Sequence, residues 1–396
     1  MKNKLTIHLC FLVPFVITVL NLQVLVTMFI STVLAQIIAY FCLGLILLGI
    51  VLTLRNRGEF SRTARLWIYF YIIYFVIAIF SGAMHNNYTN IVASTIPFFY
   101  VLGFYYYLSL PENRKVFEKT AIISLILSCL TCIYFNSINF DLDVQGVGEY
   151  VVDRAQGVYG DANNMALVTV LTFIFIYKVY NPQKIIFKIL KIGILAVVFY
   201  SLFITFSTTG LSVFIISLVI LNSKFFTGLK LIFGICLLPI VYLLLLNLNS
   251  LTANMDLVGQ QRDKINNLVN VLSLNFEEID DSGRSELVAE VLHYIYKNPL
   301  MGNGVDFGAL HQTHNTFIAI WADAGIFVLL FFIIMLGVYY HRAFSCSENI
   351  RYFVLPMLLA MCVFMLSLHS VINQPYLMAI FVYLGYLIDD ETVEFT

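Results

Sequence analysis

What this chain lacks is charge. Of its 396 residues only 11% are Asp, Glu, Lys or Arg, against roughly a quarter in an ordinary soluble domain. A chain that is 60% hydrophobic with so little charge has almost nothing with which to cover a water-facing globule. Basic runs are missing too, and the net charge is -1, so no phosphate-tracking groove for nucleic acid is present. Six of the seven cysteines (Cys10, Cys42, Cys129, Cys132, Cys236 and Cys362) fall inside apolar runs, and Cys346 falls in a short polar loop. No disulfide framework and no metal-ligand spacing results. Internal repeats and low-complexity tracts are also missing. No small-residue cleavage site follows the first apolar run, which therefore reads as helix 1 rather than as a leader.

What is there is a succession of apolar segments. A membrane-crossing helix needs about 20 mostly apolar residues, and twelve such spans are expected. They centre on residues 8–27, 32–54, 66–83, 91–110, 118–138, 163–180, 187–205, 207–222, 228–247, 314–339, 352–369 and 375–388. The expected fold class is an all-α polytopic membrane protein, one multispanning domain over residues 1–396. Alternate connections carry Arg55 to Arg65, then Arg114, Lys115 and Lys119, then Lys178, Lys184, Lys188 and Lys191, then Lys224 and Lys230, and finally Arg342 and Arg351. The connections between them are uncharged or acidic. Basic loops stay in the cytoplasm, so both termini are expected there, and residues 248–313 form a large extracytoplasmic loop between spans 9 and 10. Ionisable residues are expected at the ends of the spans.

The chemistry-bearing residues gather in two outer loops. In the late loop an amphipathic interfacial helix is expected to follow Asp281-Ser282-Gly283-Arg284, with Glu286, Glu290, His293 and Lys297 on one face and Pro299 limiting its end. Arg284 is placed to grip a phosphate or pyrophosphate bidentately; a salt bridge to Glu286 is the plainer alternative. Gly302 and Gly304 allow tight turns near a ligand. His311 and His314-Asn315 then open span 10. An imidazole titrating near pH 6.5 suits a general base, and His314 is the better placed of the two; capping or interfacial hydrogen bonding is the plainer role. No Cys, Asp or Glu completes a metal set beside them. In the earlier loop Arg154 is the lone basic residue among Asp141, Asp143, Glu149, Asp153 and Asp161, and Asn163 opens span 6. It pairs locally or awaits an anion. Asn163 and His314 both sit near helix N-termini, where amides and the helix dipole favour negative charge.

These residues resemble the O-antigen polymerase and O-antigen ligase family. The matching pieces are Gly283-Arg284 with its helix, Asn298-Pro299-Leu300 with Gly302 and Gly304, His314-Asn315 followed by Gly325, and Asp161 to Ala166 with Arg154 ahead. Ala162 stands where members commonly have proline, and Ser207-Thr208-Thr209-Gly210 lacks the arginine often found in that helix. The resemblance implies metal-independent, cofactor-free glycosyl transfer from undecaprenyl pyrophosphate to a sugar hydroxyl, at the outer face of a bacterial cytoplasmic (inner) membrane. It implies Arg284 and His314 as catalytic, and Arg154, Asn163, Asn315, His311, Gly302 and Gly304 as binding pyrophosphate or glycan. Polymerisation onto a new lipid-linked repeat unit is the expected reaction, and ligation to lipid A-core is its close alternative. A lipid-linked oligosaccharide flippase or transporter, and a non-catalytic assembly component, are alternatives of other classes. Expected partners are undecaprenyl-pyrophosphate-linked oligosaccharides and membrane lipid, with a chain-length regulator and a flippase of the same pathway.

Overall fold

A computed structural model describes residues 2–54, 58–85, 87, 91–142, 146–147, 153–223, 243, 246–253, 257–273, 275 and 284–390. The chain begins with α1 (Lys2–Val19) and α2 (Leu22–Phe29), which meet at 61°. Asn21 makes the break: its backbone is left-handed at φ 45, and its side-chain amide donates to the Val158 carbonyl at 2.7 Å. Ser31 caps α3 (Thr32–Thr53) by accepting from the Val33 amide. Then follow α4 (Arg65–His85), α5 (Ile91–Ser94), α6 (Ile96–Tyr107) and α7 (Pro111–Ser137). Prolines lie in the first turns of α6 and α7, where a missing amide hydrogen costs nothing.

A two-stranded hairpin pairs β1 (Phe140–Asp141) with β2 (Gly146–Val147). Next come α8 (Ala162–Val179), α9 (Ile185–Phe203) and α10 (Thr208–Leu221). The described part of the late loop is largely helical, with α11 (Leu248–Leu251), α12 (Gly259–Leu272), α13 (Arg284–Lys297) and α14 (Phe307–Leu310). The long α15 (Thr316–Ser345), α16 (Glu348–Phe364) and α17 (Pro375–Asp389) close the chain, a 3-10 turn at Val371–Asn373 preceding the last.

Six of these helices are long and apolar enough to cross a membrane, or seven with the bent α1–α2 pair, and three shorter apolar helices accompany them. Eleven of the twelve expected spans coincide with described helices or helix pairs; the ninth, over 228–247, lies almost wholly outside the described residues. So do Asp281, Ser282 and Gly283, Asp143 and Glu149, and the Arg284 side chain, although Arg284 begins α13.

A helix apolar on all sides belongs inside, and α8 obeys: 83% of its spanning stretch is buried, against 17% for α9. Helix α17 is buried from Tyr376 to Ile388. Around these two pack α7, α9, α10 and α16 on one side and α1, α6 and α15 on the other.

The helix ends make two polar layers. One holds Arg114, bonded to Asp390, and Asp389, which accepts from Ser61, from Thr63 and from Arg342 at 3.3 Å. It borders a cavity of about 800 Å³ lined by Glu59, Arg62, His341 and Asp390 among others. The opposite layer gathers the heads of α8, α10, α15 and α17.

Candidate functional site

Three of the four helix heads in that second layer are capped by the side chain of the preceding residue. Asp161 accepts from the amides of Asn163 and Asn164, Ser207 from Gly210, and Asn315 from Phe317 and Ile318. Asn163 ties two heads together, because its Oδ1 accepts from Ser207 Oγ at 2.9 Å and from the Arg154 guanidinium at 3.4 Å. Arg154 also donates from Nε to the Thr205 carbonyl at 3.0 Å. It lines a cavity of about 260 Å³ with Asp141, Asp153, Asp161, Gln156, Asn163 and Gln260. Three carboxylates against one guanidinium make that cavity hospitable to hydroxyl donors and a poor host for pyrophosphate.

A second chain of contacts carries the layer across to α15. Gln374 donates to Asn164 Oδ1 at 2.7 Å and to Ser370 Oγ at 3.1 Å, which fixes the orientation of its amide. Next to Ser370 stands His369, whose ring lies edge to face with His314 at 5.8 Å between centroids. The Thr316 amide and hydroxyl donate to the carbonyls of Met365 and Leu368 at 2.7 and 2.5 Å, so the turn bearing His369 and the helix head bearing His314 are locked to each other. Arg154, Asn163, His314 and Asn315 thus belong to one layer, joined through Asn164, Gln374, Ser370 and His369.

His369 is held toward its neutral form, chiefly by burial and next by the charge on His314, while Asp161 and Asp306 pull the other way. Its Nδ1 is buried without a hydrogen-bond partner, as are the side-chain carbonyls of Gln156 and Gln374. A buried polar atom left unmatched is costly, and all three lie in this layer.

The late loop reaches the layer by entering the bundle. Helix α15 is broken at Gly325 (φ 82, ψ 177), and residues 299–304 supply the missing partners. Ile326 and Trp321 donate to the Pro299 carbonyl, while Asn303 and Gly304 donate to the carbonyls of Ala322 and Asp323. Non-helical backbone at membrane depth is tolerated only when protein covers it in this way. A Cβ on Gly325 would stand 2.0 Å from the Leu300 carbonyl oxygen, one on Gly302 2.4 Å from that of Asp323, and one on Gly304 2.9 Å from Gly82. Gly302 and Gly304 are therefore buried in close backbone packing beneath the site rather than presented at its surface.

Asp323 lies eight residues past Asn315, about 12 Å along the helix, and departs from the expectation that ionisable groups keep to span ends. It is 3% exposed and accepts from Tyr74 at 2.7 Å and from the Gly308 amide at 2.6 Å. Gly308 belongs to the turn leading to His311 and His314. Asp306, Gln312 and His314 all have positive φ there (57, 47 and 47), a concentration of left-handed non-glycine backbone of the kind found at functional sites. Asp306 is itself held by Ser94 and by Asn373. His311 stands aside, 3.5 Å from Glu290 and in tilted ring contact at 4.5 and 5.2 Å with Phe307 and Tyr294. Among the described residues no three His, Cys, Asp or Glu side chains converge as a metal-binding group.

His369, Gln374, Asp306 and Asp323 escaped the sequence reading. The polar string His369-Ser370 and Asn373-Gln374, from the end of one expected span to the start of the next, is the available signal.

Residues 164–333 match the family model described as O-antigen ligase. No curated protein matches the chain.

Proposed function

Because residues 164–333 match the O-antigen ligase family model and the described chain is helical with six helices long and apolar enough to cross a membrane, we propose that this protein joins lipid-linked glycans, as a surface-polysaccharide polymerase of the bacterial inner membrane. It transfers a growing chain from undecaprenyl pyrophosphate to a sugar hydroxyl of the next lipid-linked repeat unit. The polar layer of His314 faces outward, the layer of Arg114 and Arg342 faces the cytoplasm, twelve spans connect them and both termini are cytoplasmic. Residues 248–313 then form the extracytoplasmic loop. A flippase and a chain-length regulator of the same pathway act beside it.

One observation carries this reading: a base and hydrogen-bonding groups for a polyhydroxyl ligand occur together at one end of the bundle, around His314 and His369. His314 takes the proton of the attacking hydroxyl. Asn163, Asn315 and the Arg154 cavity hold the glycan, and His311, set to one side beside Glu290, meets its more distant sugars. Arg284, at the head of the amphipathic α13, receives the departing pyrophosphate, because the three carboxylates around Arg154 disfavour it there. Gly302 and Gly304 serve by letting the late loop close beneath the site. No metal and no cofactor takes part.

The break in α15 and the buried Asp323 are features that transporters also place within the membrane. Here both are filled and bonded by the chain itself, which supports a fixed scaffold rather than a gated path.

The test is the polysaccharide ladder of a deletion strain complemented with wild type, Arg284→Ala or His314→Ala at matched membrane levels. A polymerase predicts a single repeat unit on lipid A-core in the deletion strain and no ladder with either variant. Long polymer stranded on the prenyl carrier, with bare lipid A-core, establishes the ligase instead. Full ladders from both variants remove the enzymatic reading altogether.

A further inference from the structure

The transfer step described above uses one imidazole, and the layer around it pairs two. His369 lies 5.8 Å from His314, ring centre to ring centre and edge to face at 77°, on a turn that two hydrogen bonds fasten to the head of α15. The charged or titratable groups facing His369 are His314 at the head of α15, Asp161 at the head of α8 and Asp306 in the turn before α14. Asp161 Oδ1 accepts from the amides of Asn163 and Asn164, and the Asp306 carboxylate is held by Ser94 and Asn373. Beside His314, His369 Nδ1 is buried without a hydrogen-bond partner.

We propose that His369 is the positioning residue for His314, its Nδ1 accepting the N–H of the His314 ring nitrogen turned away from the substrate when the other nitrogen takes the proton of the attacking sugar hydroxyl. In that step the hydroxyl O–H bond breaks and its proton goes to His314. The freed oxygen bonds to the anomeric carbon, and the bond from that carbon to the pyrophosphate oxygen breaks, its electron pair leaving with the lipid pyrophosphate. His369 takes no atom from the substrate. Its part resembles that of the third member of a nucleophile–base–orienter array, with a neutral imidazole in place of the usual carboxylate. Burial suits it to this part, because an imidazole kept neutral retains the lone pair that accepts.

The proposal rests on the glycan-transfer reading of the site, and the experiment separates the two. Full-length protein in proteoliposomes is assayed for chain extension from undecaprenyl-pyrophosphate-linked repeat units between about pH 5 and 8. In parallel, carbethoxylation of His314 by diethylpyrocarbonate is followed by peptide mass spectrometry over the same range. The variants are His369→Ala, His369→Leu, which fills the space without an acceptor, and His369→Gln, which restores one.

Without the acceptor, protonated His314 is less favoured. Its modification midpoint and the acid limb of kcat should both move to lower pH by about half a unit to one unit. The rate should fall about 10- to 100-fold with KM little changed, and His369→Gln should recover part of both effects. If His369→Ala does not insert, the Leu and Gln variants carry the comparison. An unchanged His314 midpoint in the folded Ala or Leu variant overturns the proposal. A shifted midpoint in a wild-type protein that extends no glycan keeps the pairing and removes the reaction.

Discussion

The two polar layers of this bundle differ in how their charges are settled. At the basic end Arg114 meets Asp390 with only 8% and 18% of the two side chains exposed, and Asp389 gathers Ser61, Thr63 and Arg342. At the other end a histidine and two glutamines keep buried polar atoms without partners, and three non-glycine residues hold left-handed backbone within nine positions. The first layer resembles a seal, in which charge is spent on holding helices together. The second resembles a site, in which polar groups are held apart from one another by a frame of helix caps. Cavity size points the wrong way here, since about 800 Å³ lies at the sealed end and about 260 Å³ at the other; buried Trp67 Nε1 and Ser223 Oγ are unmatched too, and the cluster of left-handed backbone is the better guide.

Substitutions should expose this contrast, the strongest first. His314→Ala should lower glycan extension by about 10²- to 10⁴-fold, the usual worth of a positioned base, with little change in unfolding temperature; an equal loss from Arg342→Ala would erase the distinction between the ends. Arg114→Met leaves the Asp390 carboxylate in a mostly buried place. It should cost about 3 kcal/mol, read as thermal unfolding in detergent, while turnover per folded molecule stays near wild type. Gly325→Ala forces a side chain onto the Leu300 carbonyl at a positive φ. About 1–3 kcal/mol is expected from backbone strain alone, together with lost activity, because the loop carrying His314 packs through that break.

Smaller effects concern caps and protons. Asp161→Ala removes the cap of α8 and should cost about 1 kcal/mol, measured by the same unfolding assay. His369 has its folded pKa below the unfolded value of about 6.5. The unfolded state therefore binds the proton first, and its contribution to stability is present above that value and declines as pH falls below it. Unfolding temperature should drop on acidification more in wild type than in His369→Asn.

Much of this was legible beforehand because composition and alternation of basic loops are one-dimensional signals. The helices and the head-of-helix position of Asn163 and Asn315 follow from an apolar run preceded by a polar capping residue. What could not be read was pairing across long separations. Gln374 meets Asn164 across 210 positions, and His369 meets His314 only because Thr316 is fastened to the turn at 365–368. His369 looked like the polar end of an apolar run, and Asp323 had no visible reason to stand inside one. The spacing of Gly302 and Gly304 does not tell approach to a ligand from the approach to another backbone that both make here.

The Asp323–Tyr74 bond also bears on how the chain is made. A lone aspartate near the middle of a helix is disfavoured by about 3 kcal/mol as that helix passes from the translocon into lipid. Its hydroxyl partner emerges from the ribosome 249 positions earlier, on a helix with no acid in its first turn and a strongly apolar body. Helix α4 is therefore already in the bilayer when α15 arrives, and offers a docking point that lets the later helix leave the channel. Vectorial synthesis in this order turns an acid that hinders membrane entry into a registration mark for it.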